Sequence, residues 1–303
     1  MGKTSIRASL VAAGTFVLAG NGCGGCGSPT AERSSVDSAP VTTPSGVVDA
    51  EAESDGFVHP TLETFSSGSL VLHGWLWRPL PNETPRRPPP VIVYNHGSES
   101  MPGPRPDIAS FFVHRGFVLF VPHRRGQGRS HDVGPFIQDI DDDAKLAMLD
   151  AQTDDVLAAI AYVRSLPDVD PKAVALAGCS FGGIETLYAA ARTNDVVAAL
   201  DFAGGAMSWK NSELLRTRMH DAAVHAKMPV FFLQAENDFD TRPSKELSAA
   251  MTDAGKPEQT KIYPANGITP EEGHAFCHGG ASPPWGDDVL AFLAANGVTT
   301  KPR

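Results

Sequence analysis

Only four cysteines occur in the 303 residues, and two of them, Cys23 and Cys26, fall within the first 26 positions. The remaining pair, Cys179 and Cys277, is too small a set for the disulfide framework of a stapled miniprotein. An oxidising compartment would allow them one bond; as neighbours of candidate site residues they could equally be buried thiols. Basic charge is also in deficit, with 25 Lys and Arg against 35 Asp and Glu and a formal net charge of −10. A nucleic-acid partner calls for a basic face that neutralises phosphates, so none is expected. Beyond the N-terminus no apolar run reaches the roughly 20 residues of a spanning helix, and no internal repeat is present. Metal-ligand patterning is missing too. His274 and His278 are four apart, but the glycines around them oppose a helix and no third ligand is evident. Neither a metal nor a cofactor is expected.

What is present begins with an export signal. Lys3 and Arg7 give a positive start and Leu10 to Ala19 an apolar stretch of signal length. Small residues then lead to Cys23, so lipid attachment there (Cys26 second) and simple cleavage are both open. Residues 1–26 are read as signal, and 27–55, rich in Ser, Pro, Thr and acids, as a disordered tether. Residues 56–303 remain for one domain. The expected location is outside the cytoplasm: periplasmic or lipid-anchored in a bacterium, otherwise secreted. The N-terminal lipid would be the sole membrane attachment. Oligomeric state is left open.

Within that domain, strand and helix alternate. Thr61 to Phe65 and Leu70 to Trp77 are expected to form an antiparallel hairpin through Ser67-Gly68. The runs 91–94, 117–121, 174–177, 197–202 and 230–233 are nearly all apolar, as strands covered on both faces are. Between them lie helical patterns, including a long one from Asp141 to Leu166 in which an interruption is allowed, and helices over 182–192, 244–254 and 287–296. The pattern predicts an α/β fold with a mostly parallel, doubly wound sheet and helices on both faces. Working groups in such sheets lie on loops at the carboxyl ends of strands.

Gly178-Cys179-Ser180-Phe181-Gly182 sits on one of those loops, between a strand and a helix. A sharp strand-to-helix turn strains the serine backbone and leaves no room for side chains two positions away, hence the glycines. A serine hydroxyl becomes a nucleophile when a base takes its proton, and a carboxylate orients that base. His274, in Gly273-His274-Ala275-Phe276, is the candidate base, with His278 as rival. Asp238 is the first candidate acid, Asp240 the second and Glu236 the third. The N–H groups of Ser98 and Phe181 are candidate oxyanion donors, with His96 holding the first loop. Arg125 could bind a substrate carboxylate or serve a structural turn. Met207 and Trp209, with Leu214 and Leu215, could line a pocket or belong to the core.

Together His96-Gly97, Arg125-Gly126-Gln127-Gly128-Arg129-Ser130, the Ser180 turn, Glu236-Asn237-Asp238 and Gly273-His274-Ala275-Phe276 resemble the dienelactone hydrolase branch of the α/β hydrolases. That branch is related to the catalytic domain of prolyl oligopeptidases. The resemblance implies the α/β-hydrolase fold and a Ser-Asp-His triad. Dienelactone hydrolases proper carry cysteine at the centre of the turn, where this chain has Ser180, so ordinary esters become the expected small-molecule substrates. A peptidase acting on short peptides is the alternative enzyme. A surface lipoprotein that keeps the fold only for binding is the alternative outside catalysis.

Overall fold

A computed structural model of the chain describes residues 58–83, 88–140 and 142–301. The expected signal at 1–26, with Cys23, and the tether at 27–55 lie outside them. Eight strands form one sheet: β1 (Thr61–Ser67), β2 (Leu70–Trp77), β3 (Val91–Asn95), β4 (Val118–His123), β5 (Val174–Cys179), β6 (Ala198–Phe202), β7 (Val230–Ala235) and β8 (Glu258–Tyr263). Their order is β1-β2-β4-β3-β5-β6-β7-β8. The β1–β2 and β2–β4 pairs are antiparallel and all others parallel. Gly68, at φ 59°, makes the turn between β1 and β2, as the Ser67-Gly68 pair leads one to expect.

The apolar runs follow from two covered faces. Successive strand side chains point to opposite sides, so Val91 and Val93 of β3 enter one core while Ile92 and Tyr94 enter the other. In β7 Val230 and Phe232 separate from Phe231 and Leu233 in the same way. The first core is closed by helices α2 (Asp142–Ser165), α3 (Phe181–Arg192), α4 (Glu213–His225) and α5 (Arg242–Asp253). On the other side lie α1 (Pro106–Phe112) and α7 (Gly286–Ala295), around Phe111, Phe112 and Trp285. Helix α2 runs 24 residues without a break, so the interruption that the sequence allowed does not occur. Val156, Ile160 and Val163 form its buried seam. Among the described residues no helix is long and apolar enough to cross a membrane.

One buried charge ties α2 to the sheet. The side chain of Asp155 is fully covered and accepts hydrogen bonds from Ser67 Oγ (2.7 Å) and from Arg125 N, Nε (both 2.9 Å) and Nη2 (2.6 Å). Arg125 is therefore committed to the fold, and the substrate-binding reading of it is corrected. The reason is a partner thirty positions along the chain. Removing one member of a buried ion pair strands the other. Asp155→Ala should lose about 3 kcal/mol of unfolding free energy by that principle, read by urea denaturation; a change below about 0.5 kcal/mol, the range of ordinary surface substitutions, would contradict it.

Candidate active site

Ser180 lies between β5 and α3 with φ 58° and ψ −118°. This conformation is unfavourable for a residue with a side chain, and three neighbours hold it. Its N–H donates to Phe202 O at 2.8 Å, pinning the turn to β6. A Cβ on Gly178 would strike the Gly182 carbonyl, and one on Gly182 would strike the carbonyls of Asn95 and His96. Glycine is required here by close approach of the backbone. Phe181 opens α3, so its N–H has no intrahelical acceptor and is free at the serine turn.

The loop after β7 supplies the carboxylate. Asp238 Oδ1 lies 2.9 Å from His274 Nδ1 and accepts the Phe239 N–H at 2.7 Å. Its Oδ2 accepts Gln234 Nε2 at 2.8 Å, and Gln234 is held in turn by Ser244 Oγ at 2.8 Å. With the side chain of Asp238 fully buried and its oxygens engaged, His274 donates from Nδ1. That leaves Nε2 as the acceptor, and Nε2 is buried with no partner. Asp240 turns away: Arg242 binds both its oxygens, and this pairing holds its carboxyl below the usual range. Glu236 accepts the Ala265 N–H. Of the three acids, only Asp238 meets the histidine.

The setting of His274 corrects one expectation. It ends a short helix, α6 (Pro270–His274), where the glycines argued for loop. Thr269 and Glu272 close a capping box at its start. Gly273 is needed because a Cβ there would press on the backbone of Asn237, beside the acid. A 3-10 turn, Ala275–Cys277, follows, so His278 falls outside the helix.

Ser180 and His274 line one cavity of about 240 Å³, together with Ser98, Met207 and the carboxylates Glu99 and Glu271. The Ser98 N–H has no acceptor among the described residues. Met207 stands in the cavity wall. Trp209 does not: it is fully buried against Met219 in the core below α4, its indole N–H donating to Glu246. Leu215 is core as well, and Leu214 is exposed outside the cavity. His96 is buried, with Nδ1 2.9 Å from Gly97 O.

Sequence reasoning left one feature unassigned. Cys179, just before Ser180, is disulfide-bonded to Cys277, three residues after His274. The bond ties together the loops that carry the serine and the histidine across 98 positions. Adjacency of each cysteine to a candidate residue was the available signal. Among the described residues one group of three His, Cys or acidic ligands is close enough for a metal, Cys179, Cys277 and His278, but both sulfurs are occupied by the bond.

The sheet order, the strained serine and the Asp-His pair define the α/β-hydrolase class. The family model described as the dienelactone hydrolase family matches residues 83–288, and the chain belongs to that family. It is similar to a polyketide transferase, grgF, of a Penicillium species, at 29% identity over 64% of each chain. It also resembles the quorum-quenching protein AidA of Acinetobacter baumannii, at 33% identity over 45% of this chain and 41% of that one. The chain thus spans less than two thirds of the length of these relatives. Among solved structures, the acylaminoacyl peptidase of Pyrococcus horikoshii superposes with a TM-score of 0.58, at 18% identity over 80% of this chain and 42% of that one. This likeness shows the fold.

Opening the Cys179–Cys277 bond releases a loop of nearly a hundred residues in the unfolded chain. By loop entropy it should remove about 5 kcal/mol of stability. Loosening the histidine turn should also slow fluorophosphonate labelling of the serine by roughly tenfold, since small misplacements are costly. The Cys179→Ala/Cys277→Ala variant, compared by denaturation and by labelling rate, checks both. Unchanged labelling in a destabilised variant would limit the bond to stability.

Proposed function

We propose that the chain is a serine hydrolase that cleaves a carboxylic ester, or a related acyl bond, through an acyl-enzyme on Ser180. One observation carries the reading. A strained serine lines one cavity with a histidine that has one nitrogen held by a buried carboxylate and the other, Nε2, without a hydrogen-bond partner. His274 takes the Ser180 proton as the hydroxyl attacks the acyl carbon, then returns it to the leaving oxygen. Asp238 holds the tautomer and stabilises the imidazolium. The N–H groups of Ser98 and Phe181 receive the oxyanion. Water then attacks the acyl-enzyme, with His274 again as base, and frees the acid. Residues 56–303 would be the catalytic domain.

Ser180→Ala should lower the rate on a small activated ester by at least about a thousandfold, because triad members act as a unit. Turnover at the parental rate in that variant would refute the mechanism. Matched anilides in the same assay address the peptidase reading, and inertness toward a fluorophosphonate probe would favour a binding module.

Charge around the cavity suggests a substrate preference. Arg105 contacts Asp107 through Nε and Nη2 and Glu99 through Nη1, Arg124 bonds backbone carbonyls and Arg125 bonds Asp155. Glu99 and Glu271 belong to the cavity wall, Glu99 paired with Arg105 Nη1 at 3.4 Å, and no lysine or arginine is among the residues that line it. Among esters of one size, those bearing a carboxylate should show kcat/KM several-fold below neutral ones at low salt. The gap should narrow as salt screens it within a Debye length of about 10 Å. Equal rates at low salt would remove the preference.

A disulfide beside the site fits an oxidising compartment and so supports export of the chain. Attachment through a lipid on Cys23 is the accompanying proposal. Cys23→Ser should then move the protein from the membrane to the soluble fraction; unchanged fractionation would leave cleavage without lipid.

A further inference from the structure

Arg124 is the most heavily buried cation among the described residues, with no exposed surface, and burial pulls its pKa below the ordinary arginine value. No carboxylate lies within hydrogen-bonding distance of it. Its Nη2 donates to His96 O (3.0 Å) and Gly97 O (2.8 Å), and its Nε to Gln127 Oε1 (3.2 Å). The guanidinium also stands over the Phe181 ring, 5.2 Å from its centroid. A buried charge without an ion-pair partner is expensive. Here Nη2 is used on the backbone of one loop, the loop proposed to carry an oxyanion donor, while Nη1 is buried with no hydrogen-bond partner.

Peptide geometry gives those bonds a consequence. In a trans peptide the C=O and the following N–H point in opposite directions. Gly97 C=O is drawn inward by Arg124, and His96 Nδ1 lies 2.9 Å from the same oxygen. The N–H on the far side of that peptide unit belongs to Ser98, which lines the cavity with Ser180 and has no acceptor. The same segment fixes the rest of the loop: Gln127 Nε2 donates to Glu99 O at 2.8 Å and Gly128 N–H to Ser100 O at 2.7 Å. A cation at the carbonyl end further polarises the amide toward donation.

We propose that Arg124 is a positioning residue for the oxyanion site: it sets the Gly97–Ser98 peptide so that the Ser98 N–H faces the reacting carbonyl. The inference rests on the serine-hydrolase reading above. It gives the arginine-glycine run after β4 the task of a template for the oxyanion loop, with Gln127 as a second brace.

The test uses Arg124→Met, which keeps much of the side-chain length and removes every donor, and Arg124→Lys, which keeps the charge. Each is assayed on a neutral activated ester and against a trifluoromethyl ketone that forms an oxyanion adduct with serine. Loss of one oxyanion donor costs about a hundredfold or more in kcat, so Arg124→Met should lose roughly ten- to a hundredfold with KM within about threefold. Its inhibition constant for the ketone should rise in proportion to the fall in kcat/KM, and Arg124→Lys should recover part of both. Gln127→Ala, which removes only the brace, should shift both quantities the same way by a smaller factor. It serves alone if Arg124→Met does not fold. Parental kcat in folded Arg124→Met overturns the inference, as does a loss of kcat with ketone affinity unchanged; when Arg124→Met cannot be measured, a Gln127→Ala with both quantities unchanged does the same. If the parent shows no turnover that depends on Ser180, the failure lies in the hydrolase reading instead.

Discussion

The backbone of Ser180 is held where a side-chain-bearing residue is rarely found, and much of the site is arranged around that constraint. The strain is tolerable because the turn is fixed on several sides. Its N–H is bonded to β6, and glycines at 178 and 182 let the β3 loop and the start of α3 close in without collision. The close approach of Gly182 to the Asn95 and His96 carbonyls brings the Ser98 loop to the serine. A side chain at Gly182 would push the two loops apart, and one at Gly178 would push the start of α3 away from β5. The same few ångströms therefore set both Ser180 and the Ser98 loop.

Three longer connections keep the remaining parts in register with that turn. The Asp238 carboxylate, itself held by Gln234 and the Phe239 N–H, fixes one nitrogen of His274 and leaves the other without a partner. The Cys179–Cys277 bond ties the histidine turn to the residue preceding the serine. Arg124 bonds the carbonyls of His96 and Gly97, just before Ser98. Each link joins segments distant in the chain, and each meets the carboxyl ends of the central parallel strands, where open α/β sheets place their sites.

The strands and the glycine-flanked turn at Ser180 were legible in the sequence because they depend on local patterns. Apolar runs mark strands whose alternate residues enter two cores, and glycines mark close approach. Choices that depend on remote partners were not legible. Asp238 and Asp240 are chemically alike in the sequence; what separates them is that Arg242 takes one and His274 the other. Arg125 looks available until Asp155 is seen beside it, and Trp209 looks like a pocket wall until Met219 and Glu246 close over it. The helix before His274 was missed because glycine is a poor helix former, while here Asn237 leaves no space for a Cβ.

Capture of the covalent intermediate tests the central claim most directly. Rapid acid quench of the enzyme with a slowly deacylated activated ester, followed by peptide mass spectrometry, should place one acyl group on Ser180, with none on the Ser180→Ala protein. Acylation at another residue, or turnover of the ester with no acyl group found on the chain under conditions that favour its accumulation, would contradict the mechanism.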